Sequence, residues 1–223
     1  MIPLGKAWLM FRSLPKTLRF NLTYLPLAQA LWLPVLVCHR VHFDCLRGTV
    51  RVPPACRTGM IRLGFGEVGL FDRERLRSVW RVEGEVVFQG SASLGHGTKL
   101  SVDSGAVLTF GDRFVITAES AISCRKAITF GEDVLVSWDV QVMDSDWHSV
   151  INEDGAVLNP DSEVYVGDHV WIGSRVLLMK GARIAKDSIV AAGSVVTDGT
   201  YDANVILAGV PARPIRHGVT WKA

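Results

Sequence analysis

The sequence is poor in cysteine and has no cysteine pair of the kind that holds a metal or a redox-active disulfide. Its four cysteines are Cys38, Cys45, Cys56 and Cys124, and none belongs to a CxxC motif. Their spacing excludes the common zinc patterns, and their mostly apolar neighbours favour reduced, buried thiols. We therefore expect a protein of a reducing compartment such as the cytosol.

The sequence also lacks a hydrophobic run long enough to cross a membrane. Residues 22–37 are apolar, but Pro26, Gln29 and Pro34 interrupt them. The run falls short of the roughly 20 residues that a spanning helix requires. The first twenty residues do not have the pattern of a signal peptide. We expect a cytoplasmic protein, with peripheral contact at the inner membrane face left open.

Acidic residues are nearly absent from the first part of the chain. Residues 1–51 contain seven Lys or Arg and one acid, Asp44, while the rest of the 223 residues carry a net charge of −4. Such a basic, apolar region fits contact with an anionic surface or substrate, and it equally fits a solvated basic face. The body of the chain is not strongly basic and has no RNP-like aromatic set, which argues against nucleic-acid binding.

An aliphatic residue recurs at every sixth position in the C-terminal part of the chain. The series is Val166, Ile172, Leu178, Ile184, Val190 and Val196, and small or β-branched residues recur at a second fixed phase. Neither a helix, with period 3.6, nor a strand, with period 2, gives this spacing. A coil with three short faces in eighteen residues gives a spacing of six. Stacked coils of this kind then bury one continuous aliphatic core.

The repeat extends towards the N-terminus with irregularities. Segments 108–117 and 128–137 are alike at an interval of twenty residues, and weaker repeats run back to about residue 86. Ser13, followed by Pro15, predicts the start of a short helix that ends before Pro26. A cap is expected because repeat proteins need their open ends covered. The predicted units are a helical or extended cap (1–50), the coils (51–205, with loops inserted near 67–84 and 144–163) and a C-terminal tail (206–223).

Residues 164–216 resemble the hexapeptide-repeat acyltransferases, specifically the maltose/galactoside O-acetyltransferase-like branch that includes polysaccharide O-acetyltransferases. The motifs that carry the resemblance are V-W-I-G at 170–173, A-G-S-V-V-T at 192–197 and A-G-V-P-A-R-P-I-R at 208–216. The resemblance implies a mainly β fold, the left-handed parallel β-helix, assembled as a homotrimer. It also implies an enzyme that uses acetyl-CoA, or another acyl-CoA, as co-substrate, with no tightly bound cofactor.

The implied reaction is transfer of an acetyl group to a sugar hydroxyl of a polysaccharide or lipid-linked saccharide. Two alternatives stay open. An N-acetyltransferase acting on an amino-sugar nucleotide would use the same base and donor groove. A non-catalytic, carbohydrate-binding β-helix would share only the repeat with the acyltransferases. The chain contains too few suitably spaced histidines for the shared three-histidine zinc site of some hexapeptide-repeat trimers, so we predict no metal site.

Segment 144–163 breaks the repeat and is rich in polar residues, and loops that leave a rigid scaffold often carry function. The family has its catalytic histidine in the corresponding segment, which implies His148. A neutral imidazole can remove the proton of a sugar hydroxyl as that hydroxyl attacks a thioester carbonyl. Asp144 or Asp146 either orients this imidazole or ends the strand as a turn residue. Trp147 either walls the acceptor pocket or makes a subunit contact.

The resemblance also assigns six donor-binding positions: Trp171, Ser174, Ala192, Thr197, Arg213 and Arg216. Ser174 and Ala192 would meet the pantetheine arm, and the two arginines would face the nucleotide phosphates. Trp171 would wall the adenine or pantetheine side or make a trimer contact. The chain departs from the family at Asp198, where its relatives usually have lysine, so phosphate binding would depend more on the two arginines.

Overall fold

The computed structural model describes residues 4–66, 68–72 and 75–222, with side chains described from residue 7 onward. Residues 1–3 of the predicted cap, positions 67, 73 and 74 of the predicted loop at 67–84, and residue 223 of the predicted tail lie outside the described residues. The helices are α1 (Leu4–Tyr24) and α2 (Leu27–Ala30). In chain order the strands are β1 (Val35–Val37), β2 (His42–Leu46), β3 (Thr49–Arg51), β4 (Ile61–Phe65), β5 (Val79–Val82), β6 (Glu85–Phe88), β7 (Ala92–His96), β8 (Lys99–Val102), β9 (Val107–Phe110), β10 (Phe114–Ala118), β11 (Ala121–Cys124), β12 (Ala127–Phe130), β13 (Leu135–Val136), β14 (Gln141–Met143), β15 (Val164–Val166), β16 (Trp171–Ile172), β17 (Leu177–Leu178), β18 (Ala182–Ile184), β19 (Ile189–Val190), β20 (Val195–Val196), β21 (Gly199–Tyr201), β22 (Val205–Gly209) and β23 (Ala212–His217).

These strands form three parallel sheets that the chain visits in turn. Sheet A has the order β1-β4-β7-β10-β13-β16-β19-β22-β23, sheet B the order β2-β5-β8-β11-β14-β17-β20, and sheet C the order β21-β18-β15-β12-β9-β6-β3. One strand from each sheet makes one coil, and seven complete coils follow one another in the described part of the chain. The architecture is a parallel β-helix, as the sequence predicts.

The pairing of equivalent strands confirms the six-residue register. Val166 pairs with Ile184 and Ile172 with Val190, each eighteen residues further along the chain. All four side chains are buried along the axis. The earlier coils are longer, and Phe110 pairs with Phe130 at an interval of twenty. Their wider interior is filled by stacked rings, with centroids 5.8 Å apart for this pair.

Helix α1 covers the free edge of β1, and it does so through side chains. Asn21 Nδ2 donates to the carbonyl of Val35 at 2.7 Å, and the Val37 amide donates to Thr17 Oγ1 at 3.0 Å. Ser13 Oγ accepts the amide of His39 at 3.1 Å. The spacing of four residues places Ser13, Thr17 and Asn21 on one face of the helix. They satisfy backbone groups that an open sheet edge would leave unpaired.

The predicted helix start at Ser13 is wrong, because α1 begins at Leu4 and carries Pro15 in its interior. Ser13 Oγ instead donates to the carbonyl of Leu9 within the helix, at 2.7 Å. A proline inside a helix loses one backbone hydrogen bond, and the polar contacts of the inner face offset this loss. The predicted end before Pro26 is observed. No helix in the described residues combines the length and the apolar character needed to span a membrane.

The boundaries of the coils differ from the expected ones at three places. Strands β1 to β3 pair into the three sheets, so the first coil begins at Val35, ahead of the boundary at residue 50. Val79–Val82 is already a strand of sheet B, so the loop expected at 67–84 ends at Ser78. At the other end, β22 and β23 pair antiparallel and close the last coil.

Candidate active site

Residues 144–163 leave the β-helix in the fifth coil, between β14 of sheet B and β15 of sheet C. They therefore project from the edge where these two sheets meet, which we call the B–C edge. The outer part of the segment is a small hairpin, closed by an antiparallel bridge between Ile151 and Val157. The sequence break at 144–163 is thus a loop on a rigid scaffold. We call it the catalytic loop because it carries His148, which the sequence analysis predicts as the catalytic base.

Asp144 begins the catalytic loop and is fully buried. Its carboxylate accepts the backbone N–H groups of Arg125 and Lys126, each at 2.8 Å. The Cys124 thiol donates to the same carboxylate at 3.5 Å. Burial, followed by the nearby Asp144 carboxylate, raises the pKa of that thiol, which keeps it a donor. Asp144 therefore ties the loop to the preceding coil, in keeping with the turn-residue alternative.

Asp146 is bound on the opposite side of the loop base. Its carboxylate forms an ion pair with Lys180, 2.7 Å away, and accepts the side-chain amide of Asn159 at 2.7 Å. The hydrogen bond from Lys180, followed by that from Asn159, lowers the pKa of Asp146. Among the described residues, neither Asp146 nor Asp144 hydrogen-bonds the imidazole of His148. Their contacts anchor the loop and do not orient the ring.

Asn159 and Lys180 were missed in the sequence because nothing in the repeat marks them. The Asn159 amide also donates to the backbone carbonyl of His148 at 2.9 Å, while Lys180 donates to the carbonyls of Asn159 and Pro160. Lys180 comes from the next coil. Together the two side chains fix the segment on which His148 lies, although 32 residues separate His148 and Lys180 along the chain.

Trp147 stands at the junction of two cavities at the B–C edge. It adopts a left-handed backbone conformation with φ of 63°, and the residue is 46% exposed. The guanidinium of Arg125 lies over the ring, 5.1 Å from its centroid. This contact, which the sequence analysis did not anticipate, gives the ring a fixed cationic neighbour. The exposed ring and Arg125 are both available to a ligand.

His148 is exposed in a cavity of about 220 Å³ that it shares with Arg125 and Trp147. On the side of the N-terminal coils this cavity continues into a groove of about 520 Å³, which we call the acceptor-side groove because it is lined by Trp147, for which the sequence analysis offers a role in the acceptor pocket. Its walls also include Arg81, Glu83, Ser101, Asp103 and Ser104. These groups alternate in charge: Arg81 donates to Asp103 at 2.9 Å, and Arg125 Nε lies 3.5 Å from Asp103.

On the side of the C-terminal coils lies a second groove of about 410 Å³, which we call the donor-side groove because the predicted donor position Thr197 lines it. Lys180, Thr197 and Asp198 line it, together with the loop residues Asp146 and Asn159. The base of the catalytic loop therefore forms a wall between two open spaces. Such a wall allows a group on the loop to contact ligands that arrive from either side.

The six predicted donor positions fall on different parts of one chain. Thr197 lies at the B–C edge, while Ser174 and Ala192 lie in successive turns between sheets A and B. These two turns are in close contact, since the Gly193 amide donates to the Ser174 carbonyl at 2.9 Å. A Cβ on Gly173 would lie 2.8 Å from the amide nitrogen of Ala192, so glycine is required there.

The remaining donor positions lie on or beyond sheet A. The Trp171 indole donates to Ser137 Oγ at 3.1 Å on the outer face of that sheet. Arg213 and Arg216 are exposed on β23, at the C-terminal end. One chain does not bring these residues to His148. No group of three His, Cys, Asp or Glu in the described ranges could hold a metal ion.

Comparisons with known proteins agree with this architecture. Residues 163–198 match the sequence family described as bacterial transferase hexapeptide (six repeats). The galactoside O-acetyltransferase of Escherichia coli (strain K12) is 33% identical over 117 residues, which are 50% of this chain and 55% of that protein. The chain thus matches about half the length of this relative.

Two solved structures share the fold. The polySia specific acetyltransferase NeuO superposes with a TM-score of 0.59 at 20% identity, over 85% of this chain and 79% of that one. AntD, an N-acyltransferase from Bacillus cereus in complex with dTDP and 3-hydroxybutyryl-CoA, gives a TM-score of 0.51 at 16% identity, over 82% and 79% of the two chains.

The stacked coils, the six-residue register and these matches define a left-handed parallel β-helix built from hexapeptide repeats. The V-W-I-G motif and the register that follows it lie within the matched residues. Over these residues the chain resembles the hexapeptide-repeat acyltransferases.

Proposed function

We propose that this protein is a cytoplasmic, acyl-CoA-dependent O-acyltransferase that transfers an acetyl group to a sugar hydroxyl of a polysaccharide or lipid-linked saccharide. One observation carries the proposal: His148 is exposed on a loop whose base separates an acceptor-side groove from a donor-side groove. The galactoside O-acetyltransferase relative supports oxygen as the atom that is acylated.

His148 acts as the general base. The imidazole takes the proton of the acceptor hydroxyl while the hydroxyl oxygen attacks the thioester carbonyl of the donor. The tetrahedral intermediate then expels the thiolate, which receives the proton from the imidazolium. A general base of this kind contributes about 10² to 10⁴-fold to the rate. Asp144, Asp146, Asn159 and Lys180 position the segment that carries the ring.

The donor is acyl-CoA, with acetyl as the proposed acyl group. AntD, which shares the fold, was solved with an acyl-CoA. Thr197 lies beside the donor-side groove, and Arg213 and Arg216 offer exposed guanidinium groups for phosphate. Ser174 and Ala192 line a different edge of the β-helix, and Trp171 lies on sheet A. A homotrimer, in which one copy supplies the B–C edge and its neighbour supplies these positions, completes the donor site.

The acceptor lies in the acceptor-side groove. An aromatic face and paired charged groups are the usual means of binding a sugar ring and its hydroxyls. Trp147, with Arg125 over its ring, supplies the aromatic face. Arg81 and Asp103 supply the paired charged groups. An amine in place of the hydroxyl would use the same base, so the N-acyltransferase alternative differs from the main proposal only in the acceptor.

Release of thiol from acetyl-CoA tests the proposal. The full chain is given saccharides, nucleotide sugars and lipid-linked oligosaccharides that carry hydroxyl or amino acceptors. We expect release that depends on a hydroxyl acceptor and falls about 10² to 10⁴-fold in His148→Ala. His42→Ala, which alters an exposed histidine of the first coil, is the matched control. Release only with amino acceptors would support the N-acyltransferase, and a protein that binds no CoA would contradict both.

A further inference from the structure

The helical cap presents an apolar face to solvent. On α1 this face consists of Trp8, Phe11, Leu14, Leu18 and Leu22, and it continues through Leu27, Leu31 and Trp32 in and after α2. We call these eight residues the outer stripe. Their exposed fractions run from 40% for Leu18 to 73% for Leu31. Scattered exposed leucines are ordinary, whereas a contiguous apolar patch marks a surface that binds something.

The outer stripe lies on a different side of α1 from the face that holds the helix to the β-helix. Ser13, Thr17 and Asn21 point to β1, as described above. At 100° per residue, the centre of the stripe lies about 120° around the helix from the centre of that polar face. The stripe is therefore turned obliquely away from the N-terminal end of the β-helix. From Trp8 to Leu22 it runs about 21 Å along the helix.

Positively charged side chains border the outer stripe, and neither α1 nor α2 contains an acidic residue. The chain has no acid before Asp44. Arg12 and Arg19 are exposed on one flank of α1, with Lys16 between them, half-buried and bonded to the carbonyl of Val41. The Arg19 guanidinium lies 5.6 Å from the ring centroid of Phe43 in β2.

We propose that the outer stripe docks on an anionic phospholipid surface, with α1 lying in the plane of the interface. An interfacial helix combines a leucine and aromatic face with a basic flank, as this one does. Each arginine near an anionic leaflet adds to binding. A second copy of this chain fits less well, since two such faces would bring four arginines together with no acid in α1 or α2 to neutralise them.

Docking through α1 places the active site at a distance from the lipid surface. The catalytic loop leaves the fifth coil, and neighbouring coils are spaced by about 4.8 Å, the ordinary distance between paired strands. Four such steps and the diameter of α1, about 10 Å, place the loop roughly 30 Å from the outer side of α1 along the axis of the β-helix. The acceptor-side groove lies between. If the proposed function holds, a lipid-linked acceptor is acylated on a sugar well removed from its lipid.

Flotation of the full chain with vesicles tests the docking without any use of catalysis. We expect binding to vesicles of phosphatidylglycerol and phosphatidylethanolamine, and weak binding to phosphatidylcholine alone. The triple variant Phe11→Ser/Leu18→Ser/Leu22→Ser should lower the partition coefficient by about 100-fold. Leu70→Ser/Val107→Ser, which removes exposed apolar side chains outside the cap, should leave it unchanged.

The charge contribution has its own pair of variants. Arg12→Gln/Arg19→Gln should weaken binding to the anionic vesicles by about fivefold for each arginine, and added salt should have the same effect. The distant exposed residue Lys186 provides the control Lys186→Gln. Equal binding of parent and Arg12→Gln/Arg19→Gln to anionic vesicles would contradict the charge argument.

Two results would overturn the proposal. One is a folded parent protein that does not float with anionic vesicles. The other is a triple variant that floats as well as the parent.

If the parent fails to float and the triple variant has fewer subunits in sedimentation equilibrium, the outer stripe is a subunit interface instead. Circular dichroism checks folding, and Leu22→Ser alone replaces the triple variant if that does not fold. A parent that transfers acyl groups but never floats refutes the docking alone.

Discussion

The carboxylate of Asp146 and the ammonium of Lys180 form an ion pair at 2.7 Å that joins the catalytic loop to the next coil. Lys180 Nζ also donates to the carbonyl of Asn159, and the Asn159 side chain bonds both Asp146 and the His148 carbonyl. Removing the lysine therefore loosens the whole loop base. His148 depends on a residue of a different coil for its position.

Lys180→Met is expected to lower kcat about tenfold or more while the β-helix stays folded, because misplacement of a base by about 1 Å is costly. Hydrogen exchange should speed up in 144–163 and not in the strands. Lys186→Gln, which removes an exposed lysine without a role in the loop, should change neither quantity. Unchanged exchange in the loop would contradict the anchoring role.

The loop anchor should also fail in acid. The pKa of Asp146 is lowered from its ordinary value of 3.8 by the hydrogen bonds from Lys180 and Asn159. A lowered folded pKa means that this stabilisation is complete above the unfolded value and is lost as pH falls through the folded value. The protection factors of the amides in 144–163, which correct for the slower intrinsic exchange in acid, should fall in the parent below about pH 4. In Asp146→Asn this fall should be absent, because protection is already low at neutral pH.

Asp144→Asn is expected to destabilise the fold by about 2–4 kcal/mol. The buried carboxylate accepts two backbone N–H groups, and an amide offers one oxygen in its place and turns a donor towards the second N–H. Urea unfolding measures the loss. Asp154→Asn, on the exposed hairpin, is the control and should have the stability of the parent. Equal stability of both variants would mean that Asp144 does not tie the loop to the coil.

Asn21→Leu is expected to cost about 2–4 kcal/mol of unfolding free energy, since it leaves the amide and carbonyl of Val35 buried without partners. The variant keeps the helical propensity of α1, so the loss reports the edge contact. Thr23→Val, an exposed change two residues away, should be nearly neutral. Thermal or urea unfolding of the two variants checks the expectation.

Trp147→Ala is expected to raise KM for the acceptor about fivefold, with little change in kcat, if the ring binds a sugar face. Trp147→Phe should restore most of the binding, because a phenyl ring keeps an aromatic face beside Arg125. Initial rates at varied acceptor concentration give both constants. A fall in kcat with KM unchanged would point to a role in positioning His148.

The sequence predicted the fold well where the chain repeats. The period of six from Val166 to Val196 indicated stacked coils, because only a three-faced coil turns each of these residues inward. The interruption at 144–163 was visible for the same reason. The start of α1 was mispredicted, since local capping rules favour Ser13, whereas its hydroxyl binds Leu9 and His39. Asn159 and Lys180 escaped notice because a loop has no period to reveal its partners.

The amino-acid sequence by itself determined the coil, its core and the family that the chain resembles, since a fixed period requires a fixed geometry. It also determined that the first 43 residues carry no negative charge. Only the tertiary structure decided which side chains meet at the B–C edge, because Arg125, His148 and Lys180 come from different coils. It likewise decided that the leucines of α1 face outward, since the edge of β1 takes the polar face of the helix. Both outcomes depend on contacts between segments far apart in the chain, which no local pattern encodes.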